Sequence, residues 1–248
     1  MMKTRYFMAL IIVLYFMPGL LHASGISYSY DDVGRLIKAD YGEGKTIMYT
    51  YDANGNLLQV EISEGKQSQL AMVEGWNLLA LPVEPGDDSV QSLFADILSQ
   101  VESIWKWDIS GANPVWSVYL PDDPEGDYAT SKGFNQLSSI GSGEGFWVNA
   151  GQAQDMDLTG SPITQTQLSF SDGWNLLGLL QDSATSVADL LAANDAQIKS
   201  IWKWDISGDS PVWSVYLPDD PEGDYAKSKG FNQLSSISSG EGFWVNVE

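Results

Sequence analysis

The chain has 248 residues, with 12 Lys and Arg against 33 Asp and Glu, one His, no Cys and a formal charge of −21. Without Cys there are no disulfides and no thiol chemistry. The sole histidine, His22, falls in an N-terminal stretch that reads as an export signal, so His-based catalysis and the usual zinc sites are excluded from the mature chain. The acidic balance argues against nucleic acid or an anionic membrane surface as partner, because both need basic patches.

Residues 1–23 carry Lys3 and Arg5, then an apolar run from Phe7 to Met17, then the helix breakers Pro18 and Gly19, and end on the small Ala23. The apolar run has 11 residues, short of the roughly 20 that span a bilayer. The expectation is a cleaved signal with no integral membrane span left after cleavage. Removing Lys3 and Arg5 leaves 10 basic and 33 acidic groups, a net of −23. The protein is therefore expected to be secreted, at the cell surface, outside the cell or in the periplasm.

Residues 24–56 form a short β segment. Tyr28 and Tyr30, then Tyr49 and Tyr51, alternate along two strands, and Asn54-Gly55 predicts a tight type I′ hairpin turn. Residues 28–60 resemble the YD repeat of the rearrangement-hotspot (Rhs) and teneurin-like proteins. The matching residues are Tyr28, Tyr30, Asp31, Gly34, Arg35 and Leu36, and again Tyr49, Tyr51, Asp52, Gly55, Asn56 and Leu57. In that family, long arrays of such hairpins wind into a shell or carry a surface ligand. The resemblance implies the local hairpin geometry here; so short a segment encloses nothing.

The rest is a tandem duplication. GWNLL occurs at Gly75–Leu79 and at Gly173–Leu177, and IWKWDIS at Ile104–Ser110 and Ile201–Ser207. Residues 104–149 match 201–246 except at four positions. Leu58-Gln59-Val60 aligns with Met156-Asp157-Leu158, which predicts an equivalent opening strand in each copy. The expected modules are 57–150 and 155–248, joined by 151–154. Their pattern, a GWNL start with a GxGFWV close, is similar to a module of large secreted bacterial proteins, which implies a secreted accessory role.

Within a module, Val90, Leu93, Phe94, Ile97 and Leu98 make one apolar stripe and predict a helix over 89–99, N-capped by Ser89. The second copy keeps a shorter stripe over 186–193, with Ser186 and Asp189 as a capping box. Val101–Asp108 and Val115–Leu120 predict a hairpin, Pro121–Tyr128 an acidic loop, and Phe146–Asn149 a closing strand. The fold class is α+β: two tandem small modules, each a mainly antiparallel sheet with one main helix, preceded by the β-hairpin segment.

All 10 tryptophans lie in the two modules. Strand alternation puts Trp105 and Trp107 on one face, with Trp116 on the neighbouring strand, and likewise Trp202, Trp204 and Trp213. An exposed row would make a flat platform for pyranose rings. The alternative is that they pack under the helix stripe, since the opposite face carries Lys106 and Asp108, poor partners for it. Packing therefore predicts Trp105 and Trp107 mostly buried against the helix, and Trp76 and Trp147, beside glycines, as packing residues.

The acidic loops hold Asp122, Asp123, Glu125 and Asp127, and Asp219, Asp220, Glu222 and Asp224. Such oxygen ligands suit calcium, the one cofactor the sequence brings into view, but the spacing departs from an EF-hand and Pro124 and Gly126 equally suit a turn. Asp52–Asn56 has calcium-like spacing that the hairpin turn explains. Asp108 or Asp127 with Glu125 or Glu144 is the only carboxylate pairing offered for glycoside hydrolysis, and nothing sets its separation. Gly141–Gly145 lacks the lysine of a phosphate loop. No catalytic residue emerges. The expectation is a non-enzymatic surface interaction, adhesion or accessory structural protein whose partner is a protein or glycan. Tryptophan-based carbohydrate binding is the alternative, and a secreted hydrolase comes behind both.

Overall fold

The computed structural model describes residues 26–42, 44–109, 111, 113–164, 167–192 and 197–248. The expected export signal lies outside the described residues. Among the described residues, no helix is long and apolar enough to cross a membrane.

Four strands, β1 (Ser27–Tyr30), β2 (Leu36–Asp40), β3 (Thr46–Tyr51) and β4 (Leu57–Ser63), form an antiparallel meander. Both YD hairpin loops are built the same way. Gly55 N–H donates to the Asp52 carbonyl at 3.0 Å and Asp52 N–H to the Asn56 carbonyl at 2.9 Å. In the other loop Gly34 N–H donates to Asp31 and Asp31 N–H to Arg35, both at 2.9 Å. The turn therefore spans Asp52–Gly55, with Ala53-Asn54 at its centre, and the expected two-residue Asn-Gly turn does not form. The aspartates decide this. The Asp52 carboxylate accepts from the N–H groups of Asn54 and Asn56 at 2.9 and 2.8 Å, and Asp31 holds Arg35 through its backbone N–H and its guanidinium. The glycines take up the positive φ, 83° at Gly34 and 90° at Gly55. These bonds hold both carboxyls below the usual range: chiefly the Arg35 N–H at Asp31, and the Asn56 side chain at Asp52.

β4 pairs with β3 along its length, Tyr49 opposite Val60 and Ile47 opposite Ile62. It belongs to the YD sheet and does not open the first module. Met156–Leu158 lies in a strand of different surroundings, described next, so the two segments do not hold equivalent positions.

β5 (Lys66–Met72) and β6 (Gly75–Ala80) follow, then the short β7 (Glu84–Pro85), α1 (Val90–Leu93), β8 (Val101–Asp108), β9 (Val115–Tyr119), α2 (Asp127–Ser131), β10 (Asn135–Gln136), β11 (Gly145–Ala150) and β12 (Gln154–Ser161). One sheet runs β10-β9-β8-β11-β6 and a second β5-β12-β7. β12 alternates strictly, with Met156 and Leu158 facing inward onto Leu70 and Met72, and it lids the first module's core. Its pairing with β5 and β7 and its place in the first core make it the last strand over module 1 and not the first of module 2.

The core holds Val90 and Phe94 against Ile104, Phe146 and Val148, all fully buried. Ser89 caps the helix as expected, its hydroxyl accepting from Ser92 N–H at 3.3 Å. The helix itself is one α-turn. Beyond Phe94 the bonds shorten to three-residue spacing, Ile97 N–H to Phe94 and Gln100 N–H to Ile97, ending in a 3-10 turn over Leu98–Gln100. Tight coiling keeps the apolar stripe inward without a continuous helix.

The second copy repeats the first in β13 (Gly173–Gly178), β14 (Thr185–Ser186), α3 (Val187–Ala192), β15 (Ile198–Asp205), β16 (Val212–Tyr216), α4 (Asp224–Lys229), β17 (Asn232–Gln233), β18 (Ser236–Ile237) and β19 (Gly242–Val247). Its main sheet runs β13-β19-β15-β16-β17, the same order read from the other edge. The capping box forms: Asp189 N–H donates to the Ser186 hydroxyl at 3.0 Å, and that hydroxyl meets the Asp189 carboxylate at 2.6 Å. α3 has six residues against four in α1, so the expected shorter second helix is the longer of the two. Each module also carries a second short helix, α2 or α4, inside or just after the stretch read as an acidic loop. Leu168 and Phe170, outside any strand, pack against the second core where β5 covers the first.

Asn77 and Asn175 explain the GWN motif. Each is fully buried. The Asn77 amide accepts from Val73 N–H at 2.9 Å and donates to the Val73 and Gly75 carbonyls at 2.8 and 2.9 Å. Asn175 repeats this on Ser171 and Gly173. The amide clamps the turn whose glycine, Gly75 at φ 88° or Gly173 at φ 86°, has to be free of a Cβ.

Candidate functional site

Pairing fixes which way each tryptophan faces. In the first module Trp147 lies opposite Trp105, Trp105 opposite Val118, and Trp107 opposite Trp116, so these side chains share one face of the sheet. Ile104, Phe146 and Val148 occupy the other face, under the helix. The expectation that Trp105 and Trp107 pack under the helix is overturned. Ile104 supplies the apolar contact there, and Lys106, at the rim of that face, reaches Glu144 at 2.8 Å instead of blocking it. Trp105, Trp107, Trp116, Trp202, Trp204 and Trp213 are half-buried, and Trp76 and Trp174 are each 44% exposed.

The two indole faces meet each other. Trp244 of the second sheet stands 6.2 Å from Trp107 and 5.8 Å from Trp116, centre to centre. Trp147 of the first stands 6.2 Å from Trp204 and 5.9 Å from Trp213. The pairs are edge-on or tilted, as the indole quadrupole prefers. Two donors cross reciprocally: Trp107 Nε1 to the Trp174 carbonyl at 3.0 Å and Trp204 Nε1 to the Trp76 carbonyl at 2.9 Å. Such mutual contacts are the mark of an isologous, two-fold-like interface, here within one chain.

Glycines bring the backbones together at its centre. Ala80 N–H donates to the Gly240 carbonyl at 3.0 Å and Gly178 N–H to the Gly143 carbonyl at 2.9 Å. A Cβ on Gly145 would lie 2.6 Å from the Leu177 carbonyl oxygen, and one on Gly242 2.5 Å from that of Leu79. The loops carrying these glycines are tied down by ion pairs, Lys106 with Glu144 and Lys203 with Glu241 at 2.9 Å. The second carboxylate oxygen of each glutamate accepts from Gly141 or Ser238 N–H, both at 2.7 Å.

The result is two open grooves lined by indoles. One, of about 480 Å³, is lined by Trp107, Trp116, Trp174, Trp202, Trp213 and Trp244. The other, of about 430 Å³, is lined by Trp76, Trp105, Trp116, Trp147, Trp204 and Trp213. Trp116 and Trp213 wall both. The indole Nε1 atoms of Trp105 and Trp202 are buried with no hydrogen-bond partner. The structure thus gathers all six tryptophans singled out in the sequence and adds Trp76, Trp147, Trp174 and Trp244. The missed signal was the run Phe146-Trp147-Val148: a strand apolar on both faces must be covered on both.

The acidic loops do something else. Asp123 accepts from the N–H of Tyr128 at 2.8 Å, and Asp220 from Tyr225 at 2.6 Å, so each carboxylate sits at the start of its short helix. Among the described residues, no three of Asp122, Asp123, Glu125 and Asp127, or of Asp219, Asp220, Glu222 and Asp224, gather as a set able to hold a metal ion. Glu144, one of the acids considered for hydrolysis, is committed to Lys106 and Gly141. A polar cleft of about 950 Å³ opens beside it, lined in part by Asp87, Asp88 and Lys106. Asp87 is engaged there by Ser89 N–H at 2.9 Å.

A family model described as RHS Repeat matches residues 30–67. That span covers three strands of the meander, β2 through β4, with the last residue of β1 and the first two of β5. No curated protein and no solved structure matches the chain.

Proposed function

We propose that this is an exported, non-enzymatic interaction protein of the cell surface, and that its contact surface is the indole face shared by its two tandem modules. The observation that carries the reading is the pair of open grooves with tryptophan on every wall. Large aromatic side chains left half-exposed in one patch are costly to a protein that does not use them, and Trp dominates binding hot spots. The RHS Repeat match over 30–67 supports a surface role, since such hairpins are scaffolding and carry no chemistry. The hairpin segment and the two modules are read as separate units, with residues 1–23 as the removed signal. Calcium at the acidic loops is not needed for contact.

Binding of labelled protein to intact producing cells tests this. Replacing Trp76 and Trp174 together by Ala removes the most exposed ring of each groove, and cell binding is expected to be lost while the melting transition is kept. Undiminished binding by the double variant refutes the assignment. Carbohydrate binding is the second reading, favoured by the exposed rings of Trp76 and Trp174 at the grooves. An immobilised-polysaccharide screen with the same variant separates it from a protein partner.

A further inference from the structure

The grooves have an unusual chemistry: they are walled by π faces and offer no hydrogen-bond acceptor from a side chain. Among the described residues, every lining side chain is indole, which donates through Nε1 and accepts nothing. Two of those donors, on Trp107 and Trp204, are already spent on backbone carbonyls. Hydroxyls of a sugar, or N–H groups of a primary ammonium or guanidinium, that point into a groove find no side-chain acceptor among its lining residues, and only those left facing water keep a partner. A group that carries positive charge but no N–H gives up only weak hydration and strands no donor by entering. Its charge is drawn to the negative faces of the rings, and Trp is the best of the aromatic partners.

The charge of the chain points the same way. The formal charge is −21, which raises the local concentration of cations and repels anions. Among the described residues, no Lys or Arg lines either groove. Lys66, Lys106, Lys199, Lys203 and Lys227 are held by carboxylates, and Lys132 and Lys229 lie over Tyr128 and Tyr225. The aromatic faces are therefore not occupied by cations of the chain itself.

Resting on the proposal that the indole face is the contact surface, we propose that each groove binds the quaternary ammonium group of a small soluble ligand of the choline type. The two grooves are equivalent by the internal duplication, so the chain takes two such groups. Because Trp116 and Trp213 are walls common to both, occupation of one groove is felt by rings that line the other.

Titration with choline, read by tryptophan fluorescence and by calorimetry, tests this on the full secreted chain. Choline is expected to bind with a stoichiometry of two. Its neutral isostere 3,3-dimethylbutan-1-ol, which keeps the shape and removes the charge, is expected to bind about tenfold or more weakly, the cation–π share of several rings. Ethanolamine, which restores the N–H groups, is expected to fall behind choline as well. Trp76→Ala and Trp174→Ala each remove one site of the two, and Trp76→Phe keeps that site at lower affinity. Equal binding of choline and its isostere overturns the proposal, as does no response to choline. A response only to phosphatidylcholine vesicles overturns the soluble ligand in favour of a lipid headgroup. If choline fails while the Trp76→Ala, Trp174→Ala protein still loses cell binding, the ligand is refuted and the contact surface stands.

Discussion

Replacing Asn77 by Ala removes the clamp on the turn that launches β6. The amide makes three hydrogen bonds, to Val73 N–H and to the Val73 and Gly75 carbonyls, in a fully buried position. Each is worth about 1 kcal/mol net, and backbone groups left buried without a partner cost toward the upper end, so the loss is about 3–4 kcal/mol. The effect reaches the site, because the next residue back, Trp76, offers the carbonyl that anchors Trp204 Nε1 across the interface. Urea unfolding followed by tryptophan fluorescence reads the change. At an m-value of about 1.5 kcal/mol/M the midpoint falls by about 2 M. Asn175→Ala is expected to match it, since its bonds are the same three. A midpoint shift below about 0.5 M in either variant refutes the clamp, and a large shift in one alone refutes the equivalence of the two copies.

Gly145→Ala and Gly242→Ala drive a Cβ into the facing backbone, at 2.6 and 2.5 Å from a carbonyl oxygen. Either is expected to part the modules, raising proteolysis of the chain between them, while Gly111→Ala, which meets only an ordinary contact at 3.6 Å, leaves it unchanged. Acid releases the YD loops. The folded-state carboxyls of Asp31 and Asp52 are depressed, so their contribution is complete above the unfolded value near about 4 and fades as the pH falls through the folded one. The protection of the Gly34 and Gly55 amides, measured against the unfolded exchange rate at each pH, is expected to fall over that range, and Asp52→Asn to remove the pH dependence at Gly55.

Much of the fold was legible in the sequence. The duplication fixed which strands repeat, strand alternation placed Trp105 with Trp107, and the three-residue spacing of a capping box placed Ser186 with Asp189. Alternation alone does not say which face meets the helix. Lys106 and Asp108 made one face look polar, yet its centre is Ile104, with Phe146 and Val148 supplied by the much later strand β11. Only the strand pairing shows that the core is complete without the tryptophans. Leu58–Val60 and Met156–Leu158 share a pattern and lie in different sheets, and only Met156 and Leu158 are buried while Leu58 and Val60 are exposed. A two-residue period shows which side chains share a face but not whether a neighbour covers it. The interface needed both copies in view. A motif read within one module gives Trp76 and Trp147 beside glycines, and the reason for those glycines lies in the other module.

Exchange of the indole N–H protons of Trp107 and Trp204 tests the closure of the two modules through their tryptophans most directly. Both protons are bonded across the interface, to Trp174 and Trp76, and to nothing within their own module. NMR of the indole region is expected to show these two exchanging slowly and together, and both becoming fast in Gly242→Ala. Rapid exchange of both in the native protein, at the rate of a solvent-exposed indole, would contradict the closed arrangement and with it the grooves.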